Sequence, residues 1–94
     1  MSKILVEFTL DCGRMGEVTG LFVTTPRELK SAIGKYVTFG EVLGKHSDIS
    51  AVMEEHMFTV KSDDKLFIKQ LVDIIGHTTI SGHNPLSYIA DAEV

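Results

Sequence analysis

The residues best suited to chemistry in this chain follow one another in a single stretch, Gly44-Lys45-His46-Ser47-Asp48. A cation, an imidazole, a hydroxyl and a carboxylate come directly after a glycine, which lets the backbone turn sharply or approach a ligand closely. A Lys with Ser and free backbone N–H groups can form a small oxyanion site. We therefore expect Lys45 to pair with a phosphate group, and His46 and Ser47 to donate hydrogen bonds to it. The open alternative is a solvated turn that joins two strands.

Three further side chains complete the predicted site. An aromatic face at Tyr36 or Tyr88 would stack on a nucleotide base, a contact worth roughly 1–3 kcal/mol. Arg14, at the tip of a predicted hairpin, is either an anion contact or a solvated side chain. The predicted function is non-catalytic binding of a small phosphorylated ligand, and its predicted ligand-binding residues are Lys45, His46, Ser47, Tyr88, Tyr36 and Arg14.

Catalytic motifs find little support in the same residues. The order Gly-Lys-His-Ser resembles the phosphate loop of NTPases only superficially, because the upstream Gly40 is wrongly spaced and a strand-like segment follows. Adjacent His46 and Ser47 would point to opposite sides of an extended chain, so they do not form a nucleophile and its base. Cys12 is expected to be a buried, inert thiol. The sequence therefore predicts a protein that is not an enzyme.

Metal sites and carboxylate pairs are equally weak candidates. Of the possible metal ligands only His77 and His83 are close in sequence, and no second pair has zinc-ligand spacing; the full set is Cys12, His46, His56, His77 and His83. Two acidic pairs occur, Glu54-Glu55 at a predicted turn and Asp63-Asp64 in the first turn of a helix. No aromatic wall accompanies either pair, so general acid–base chemistry is unsupported. No metal and no cofactor are predicted.

Composition limits the class of partner. The chain has 94 residues, enough for one small domain spanning 1–94, and a net charge of −4. That charge argues against duplex nucleic acid, which normally requires a broad basic face. No apolar run approaches the roughly 20 residues of a membrane span, so no membrane partner is expected. A single cysteine, Cys12, rules out an intramolecular disulfide and fits a reducing compartment, and we expect a cytoplasmic protein.

The N-terminal half has clear signals for secondary structure. Alternation in Ile4–Leu10 and a β-rich run in Glu17–Thr24 predict an antiparallel hairpin. Thr25, Pro26 and Glu28 have the types and spacing of a capping box, so a short helix should start there and stop at Gly34. The run 35–43 predicts a third strand that leads into the Lys45 stretch.

The C-terminal half predicts two more strands and a longer helix. The strands are Ile49–Glu54 and Met57–Lys61, and the run Ala51–Met57 is also compatible with a turn or two of helix. A helix should open at Ser62-Asp63-Asp64 and end at Gly76, and its segment Leu66–Ile75 is apolar around most of its circumference. We expect that excess apolar surface to make the protein a homodimer or a larger oligomer. The tail 77–83 is β-permissive, and Asn84-Pro85 leads into a last short turn or helix.

Two segments carry a resemblance to known proteins: VTFGEVLGKHSD at 37–48 and SGHNPLSYI at 81–89. Together they resemble small proteins of phages and mobile elements, among which are the anti-CBASS sponges. Those small oligomers sequester cyclic nucleotide immune signals without degrading them. The resemblance implies a binding mode and a location in the host cytoplasm, and it assigns no site residue.

These observations combine into one expected architecture and two functions. The fold class is α+β, with a mainly antiparallel sheet of about five strands, one short helix and one longer helix. The leading function is a phage-type sponge for a phosphorylated ligand, most concretely a cyclic nucleotide. The alternative is a protein-interaction module, such as a small phage inhibitor that binds a host enzyme through its acidic surface.

Overall fold

The computed structural model describes residues 2–43 and 48–89. Within these residues the chain forms two helices and six strands, which confirms the α+β class with one short and one longer helix. The strands are β1 (Ile4–Asp11), β2 (Glu17–Thr24), β3 (Tyr36–Gly40), β4 (Ile49–Val52), β5 (Phe58–Ser62) and β6 (Thr79–Gly82). The helices are α1 (Pro26–Ala32) and α2 (Lys65–Ile75), and short 3-10 turns cover Gly13–Met15, Glu55–Met57 and Pro85–Tyr88. No helix in the described segments is long and apolar enough to cross a membrane.

The strands form two sheets where we expected one sheet of about five strands. Four antiparallel strands lie in the order β5-β1-β2-β6, and β3 pairs with β4 in a separate two-stranded sheet. The additional strand is β6, from the segment that the sequence marks only as β-permissive. It joins β2 where two glycines, Gly20 and Gly82, face each other. A Cβ on either glycine would collide with the backbone of the neighbouring strand, so this pairing depends on the absence of both side chains.

Three predicted strand boundaries need correction. β3 spans Tyr36–Gly40 and not 35–43, because Gly40 has a φ of 76° and turns the chain out of the strand. Val42 and Leu43 instead pack against the core from the turn that follows. β4 ends at Val52, before the 3-10 turn, and β5 runs one residue later than expected.

The short helix begins as its sequence predicts. The backbone N–H of Glu28 donates to Thr25 Oγ1 at 3.1 Å, and the backbone N–H of Thr25 donates to Glu28 Oε1 at 3.3 Å. This reciprocal pair is the expected capping box. The chain leaves the helix at Ile33, and Gly34 follows with a φ of 93°. α1 buries Ala32 against the main core, which positions the start of β3.

One face of the four-stranded sheet carries the main core. Alternate residues of β1 point into it with Phe22 from β2, and the small β3–β4 sheet, α1 and the turn Pro85–Tyr88 cover them. The ring of Phe8 lies 5.8 Å from Phe39 and 5.4 Å from Phe58, centroid to centroid. The buried members of this core are Ile4, Val6, Phe8, Leu10, Val18, Phe22, Ala32, Val37, Phe39, Ile49 and Met53.

The opposite face of the sheet carries α2 and a much smaller core. Ile68 is buried against Leu5 and Val23, with other apolar side chains partly buried around them. The helix begins where the sequence predicts, since Asp64 Oδ1 accepts hydrogen bonds from the N–H groups of Leu66 and Phe67 at 3.1 Å. It ends at Gly76, as expected. Because so few of its side chains reach the sheet, much of its apolar surface stays exposed.

Candidate functional site

The predicted phosphate-binding residues Lys45, His46 and Ser47 lie outside the described residues. The residues on either side of them are described, and these show which strand ends the segment joins. Gly40 pairs with Ile49, so residues 41–48 link the paired ends of β3 and β4. The assignment of Lys45, His46 and Ser47 to a ligand stays a prediction.

Tyr36 lies at the other end of the same hairpin. It pairs with Val52, four residues along β3 from Gly40, or about 13 Å at the rise of an extended strand. Its hydroxyl donates to Ser50 Oγ at 2.7 Å, and its ring is exposed. Val37 and Phe39 are buried while Tyr36 and Thr38 are exposed, so Tyr36 projects away from the core. The structure therefore separates Tyr36 from the end of the hairpin that leads into the Lys45 stretch.

Tyr88 belongs to an aromatic cluster that the sequence did not reveal. Its ring centroid lies 4.9 Å from that of Phe39 and 5.9 Å from that of His83, which meets it edge-on. The imidazole of His83 also lies 6.0 Å from Phe39. The sequence marks His83 as a possible metal ligand beside His77, and gives no sign of its contact with Phe39 and Tyr88. The cluster arises because the turn Pro85–Tyr88 folds back onto β3, a long-range contact without a local sequence signal.

Arg14 and Cys12 lie at the tip of the β1–β2 hairpin. Arg14 is exposed in the 3-10 turn, as expected of a residue that is either an anion contact or a solvated side chain. Cys12 is only half-buried, and its pKa is raised by burial and by the nearby Asp11 carboxylate. A raised pKa keeps the thiol protonated, and a protonated thiol is a poor nucleophile.

In residues 2–43 and 48–89, no three His, Cys, Asp or Glu side chains converge as a metal site.

A cleft beside α2 brings together positive charges that the sequence keeps apart. We call it the lysine cleft; it has a volume of about 440 Å³ and lies between the start of β1 and one flank of the helix. Ile68 and Val72 give it an apolar floor. The residues that line it are Ser2, Lys3, Lys65, Ile68, Lys69, Val72 and Asp73.

The charge of the lysine cleft is positive in a chain whose net charge is −4. Three lysines line the cleft with one carboxylate, that of Asp73, and Lys3 also lines a neighbouring cleft beside Glu28. Lys69 Nζ lies 3.1 Å from Asp73 Oδ2, but both side chains are exposed, so solvent weakens the attraction. An ammonium group has three donors, which leaves Lys69 free to make further hydrogen bonds. The cleft therefore has positive charge to offer a ligand.

Two other clefts have similar volumes but less positive charge. One, of about 410 Å³, has Arg27 and Lys35 against Glu28. The other, of about 390 Å³, has Lys3 against Glu28. Glu28 is already committed to the start of α1, where it accepts a hydrogen bond from the Thr24 hydroxyl at 3.0 Å. Among these clefts the lysine cleft has the largest excess of cations.

Lys65 and Lys69 both lie in the helix that the sequence predicts between Asp64 and Gly76. Their spacing of four residues places them on one flank, and that much is predictable. Lys3 joins them because Ile68 packs on Leu5, two residues further along the chain from Lys3. Helix packing of this kind is not visible in the spacing of charges.

Comparison of the chain with known protein families, with curated proteins and with solved structures returned no match. The function is therefore inferred from the residues and their geometry.

Proposed function

We propose that this protein binds a small phosphorylated ligand in the lysine cleft and does not turn it over. The observation that supports the proposal is the convergence of Lys3, Lys65 and Lys69 around one concave site in an acidic chain. Lysine is an established phosphate ligand that acts as a flexible point charge. The function predicted from the sequence is retained, with its site moved to α2 and the start of β1.

The dimensions and floor of the cleft suit a small molecule. Ligand pockets commonly have volumes of about 300–1,000 Å³ and combine apolar walls with a few polar groups that fix orientation. Ile68 is only 2% exposed, so the half-buried Val72 supplies the apolar surface here, and the three ammonium groups supply the polar contacts. A ligand that combines charged phosphates with a compact apolar body would use both.

A cyclic nucleotide immune signal is the most concrete member of this class. Each phosphodiester of such a ligand carries a negative charge, which matches the cationic excess of the cleft. The described lining contains no aromatic side chain, so a base would pack on Val72 and would not stack. Tyr88 lies with the main core on the opposite face of the sheet, and stacking there would be a separate site. Sequestration by a phage-type sponge in the host cytoplasm is the role that we propose.

The site is tested by calorimetric titration of a panel of cyclic mononucleotides, cyclic dinucleotides and inorganic pyrophosphate. Lys65→Ala and Lys3→Ala should each weaken binding by about 10–100-fold, the effect of one lost charge-assisted contact. Lys30→Ala is the matched control, because Lys30 is an exposed lysine on α1 that lines none of the three clefts. If Lys45→Ala abolishes binding while Lys65→Ala does not, the site belongs to the Lys45 stretch.

The absence of turnover is tested on the same complexes. Bound nucleotide should return unchanged when the protein is denatured by heat and the released ligand is analysed by chromatography. Catalysis of phosphodiester cleavage needs an activated nucleophile or metal-bound water, and a lone general base supplies only about 10²–10⁴-fold acceleration. Linear or mononucleotide products that survive repurification of the protein would contradict the proposal.

A further inference from the structure

The lysine cleft adjoins the cleft of about 390 Å³ that contains Glu28, because Lys3 lines both of them. The pairing of Ile4 with Thr24 places the start of β1 beside the start of α1, which brings Lys3 to this point. We call the second cleft the hydroxyl cleft. Besides Lys3, its polar side chains are those of Thr24, Thr25, Glu28, Thr78, Asn84 and Ser87. The two clefts therefore present two kinds of surface to one ligand.

The two clefts differ in charge. Three lysines and one carboxylate line the lysine cleft, whereas the hydroxyl cleft has one lysine, Lys3, and one carboxylate, Glu28. A phosphate group is favoured in the lysine cleft, because its negative charge meets an excess of cations there. In the hydroxyl cleft Glu28 would repel a phosphate, whereas a neutral group that carries hydroxyls finds both donors and acceptors.

The Glu28 carboxylate is held in place as an acceptor for such a hydroxyl. Its Oε1 accepts hydrogen bonds from the Thr24 hydroxyl at 3.0 Å and from the N–H of Thr25 at 3.3 Å. These bonds fix the group through one of its two oxygens, and a carboxylate has about four acceptor positions in all. The bond from Thr24 is also the largest cause of the lowered pKa of Glu28. The group is therefore ionised at neutral pH and acts only as an acceptor.

We infer that the two clefts form one site for a ribonucleotide, with its phosphate among the lysines and its ribose in the hydroxyl cleft, where Glu28 accepts a hydrogen bond from a free ribose hydroxyl. The inference rests on the proposed function and adds the part of the ligand that is recognised beside the phosphate. A phosphodiester is bonded directly to ribose oxygens, so the sites for the two groups must adjoin, and Lys3 joins them. An acidic side chain that binds a ribose hydroxyl is an established means of nucleotide recognition.

The exposure of Glu28 sets the size of the expected effect. A hydrogen bond to a charged group contributes about 10–100-fold in affinity. Glu28 is exposed, so water replaces a ligand hydroxyl that is missing. We therefore expect loss of the hydroxyl to weaken binding by about 10-fold, at the lower end of that range.

The first test compares a 3′,5′-linked cyclic dinucleotide with its 2′-deoxy analogue by calorimetric titration, with inorganic pyrophosphate as a probe of the lysine cleft alone. Wild type should bind the ribose form about 10-fold more tightly than the deoxy form. In Glu28→Gln this preference should fall to about 2-fold or less, because the amide nitrogen cannot accept the hydroxyl proton. Glutamine also completes a capping box at this position, so the variant should fold, and its affinity for pyrophosphate should not fall. Glu17→Gln is the matched control and should keep the preference, since Glu17 is exposed on β2 and lines none of the three clefts.

The second test fills the hydroxyl cleft and leaves the capping box intact. Ser87 is exposed and lines this cleft, so Ser87→Leu places a bulky apolar side chain where the ribose would lie. Affinity for the ribose form should fall by about 10-fold or more, and affinity for pyrophosphate should stay unchanged. Ser81→Leu is the control, because Ser81 is exposed on β6 and lines none of the three clefts.

Three results would overturn the inference. One is equal affinity of wild type for the ribose and deoxy forms, another is a preference that Glu28→Gln retains in full, and the third is nucleotide binding that Ser87→Leu does not weaken. In each case, pyrophosphate binding that Lys65→Ala weakens would leave the proposed function standing. If neither nucleotide nor pyrophosphate binds, the proposed function fails and this inference fails with it.

Discussion

The two faces of the four-stranded sheet differ in how completely they are covered. On one face Val6, Phe8 and Phe22 are fully buried beneath the β3–β4 sheet, α1 and the turn that contains Tyr88. On the other face a single helix buries Ile68 against Leu5 and Val23. The first face holds most of the buried apolar surface that stabilises the fold. The second has surface left over, and the candidate binding features are there.

The lysine cleft and the exposed apolar side chains Leu66, Phe67 and Ile74 lie on different sides of α2. The lysines of the cleft and the exposed side chains of Leu66, Phe67 and Ile74 contribute little burial, so they are available to a ligand or a partner. A ligand or a second chain bound only by the folded state would in turn stabilise the loosely covered face by mass action. Substitutions that act on one face at a time test whether the two faces contribute differently to stability and to binding.

The largest effect is expected from the main core. Phe8→Ala should lower the free energy of unfolding by about 3–5 kcal/mol, because the ring is fully buried and touches Phe39 and Phe58. Ile68→Ala should cost less, since α2 covers its site alone and can move inward to fill the cavity. Urea denaturation of both variants measures the difference. An equal or larger loss for Ile68→Ala would show that the two faces contribute alike.

A smaller effect is expected at the start of α2. Asp64→Ala removes the acceptor for the N–H groups of Leu66 and Phe67 and should cost about 0.5–2 kcal/mol. The neighbouring Asp63→Ala is the control, because Asp63 is not the capping residue. Hydrogen exchange should show faster exchange in α2 with little change in β1 and β2. Equal acceleration in all three elements would contradict a separately unstable helix.

Much of the well-covered face was predictable from local pattern. Alternation in β1 gives its buried side, and Thr25, Pro26 and Glu28 fix the start of α1, because both signals depend on residues near in sequence. The pairing of β6 with β2 was not predictable, since it depends on two distant glycines at one point of approach. The split into two sheets follows from the same non-local contacts, and periodicity does not report them.

The sequence suggested the type of ligand that we propose, a phosphorylated molecule, but it did not suggest the location of the lysine cleft. Phosphate recognition was inferred from Lys45 and its neighbours, which lie outside the described residues. Lys65 and Lys69 share a helix flank by spacing alone, yet Lys3 joins them only through the packing of α2 on β1. Tyr88 and His83 meet Phe39 through the fold-back of the chain, so the aromatic cluster also needed the tertiary structure.

Removal of a cleft lysine should hardly alter folding. Lys65→Ala should change the free energy of unfolding by less than about 0.5 kcal/mol, because the side chain is exposed on the surface. Its ligand affinity should nevertheless fall, as expected for a residue that serves binding alone. Urea denaturation of wild type and variant, without ligand, measures the difference. A loss of stability comparable to that of Asp64→Ala would place Lys65 among the structural residues of α2.

The last prediction concerns pH and belongs to the well-covered face. The pKa of Glu28 is lowered from its ordinary value of 4.5, chiefly by the hydrogen bond from the Thr24 hydroxyl and then by the backbone N–H of Thr25. A carboxyl with a lower pKa in the folded state stabilises the fold at every pH above its unfolded value. That contribution is lost as the pH falls through the folded pKa. Glu28→Gln should therefore be less stable than wild type at neutral pH, and the gap should close below pH 4.5. Thermal unfolding of both proteins across this range measures the gap, and a gap that widens on acidification would mean that the capping box does not depend on the charged carboxylate.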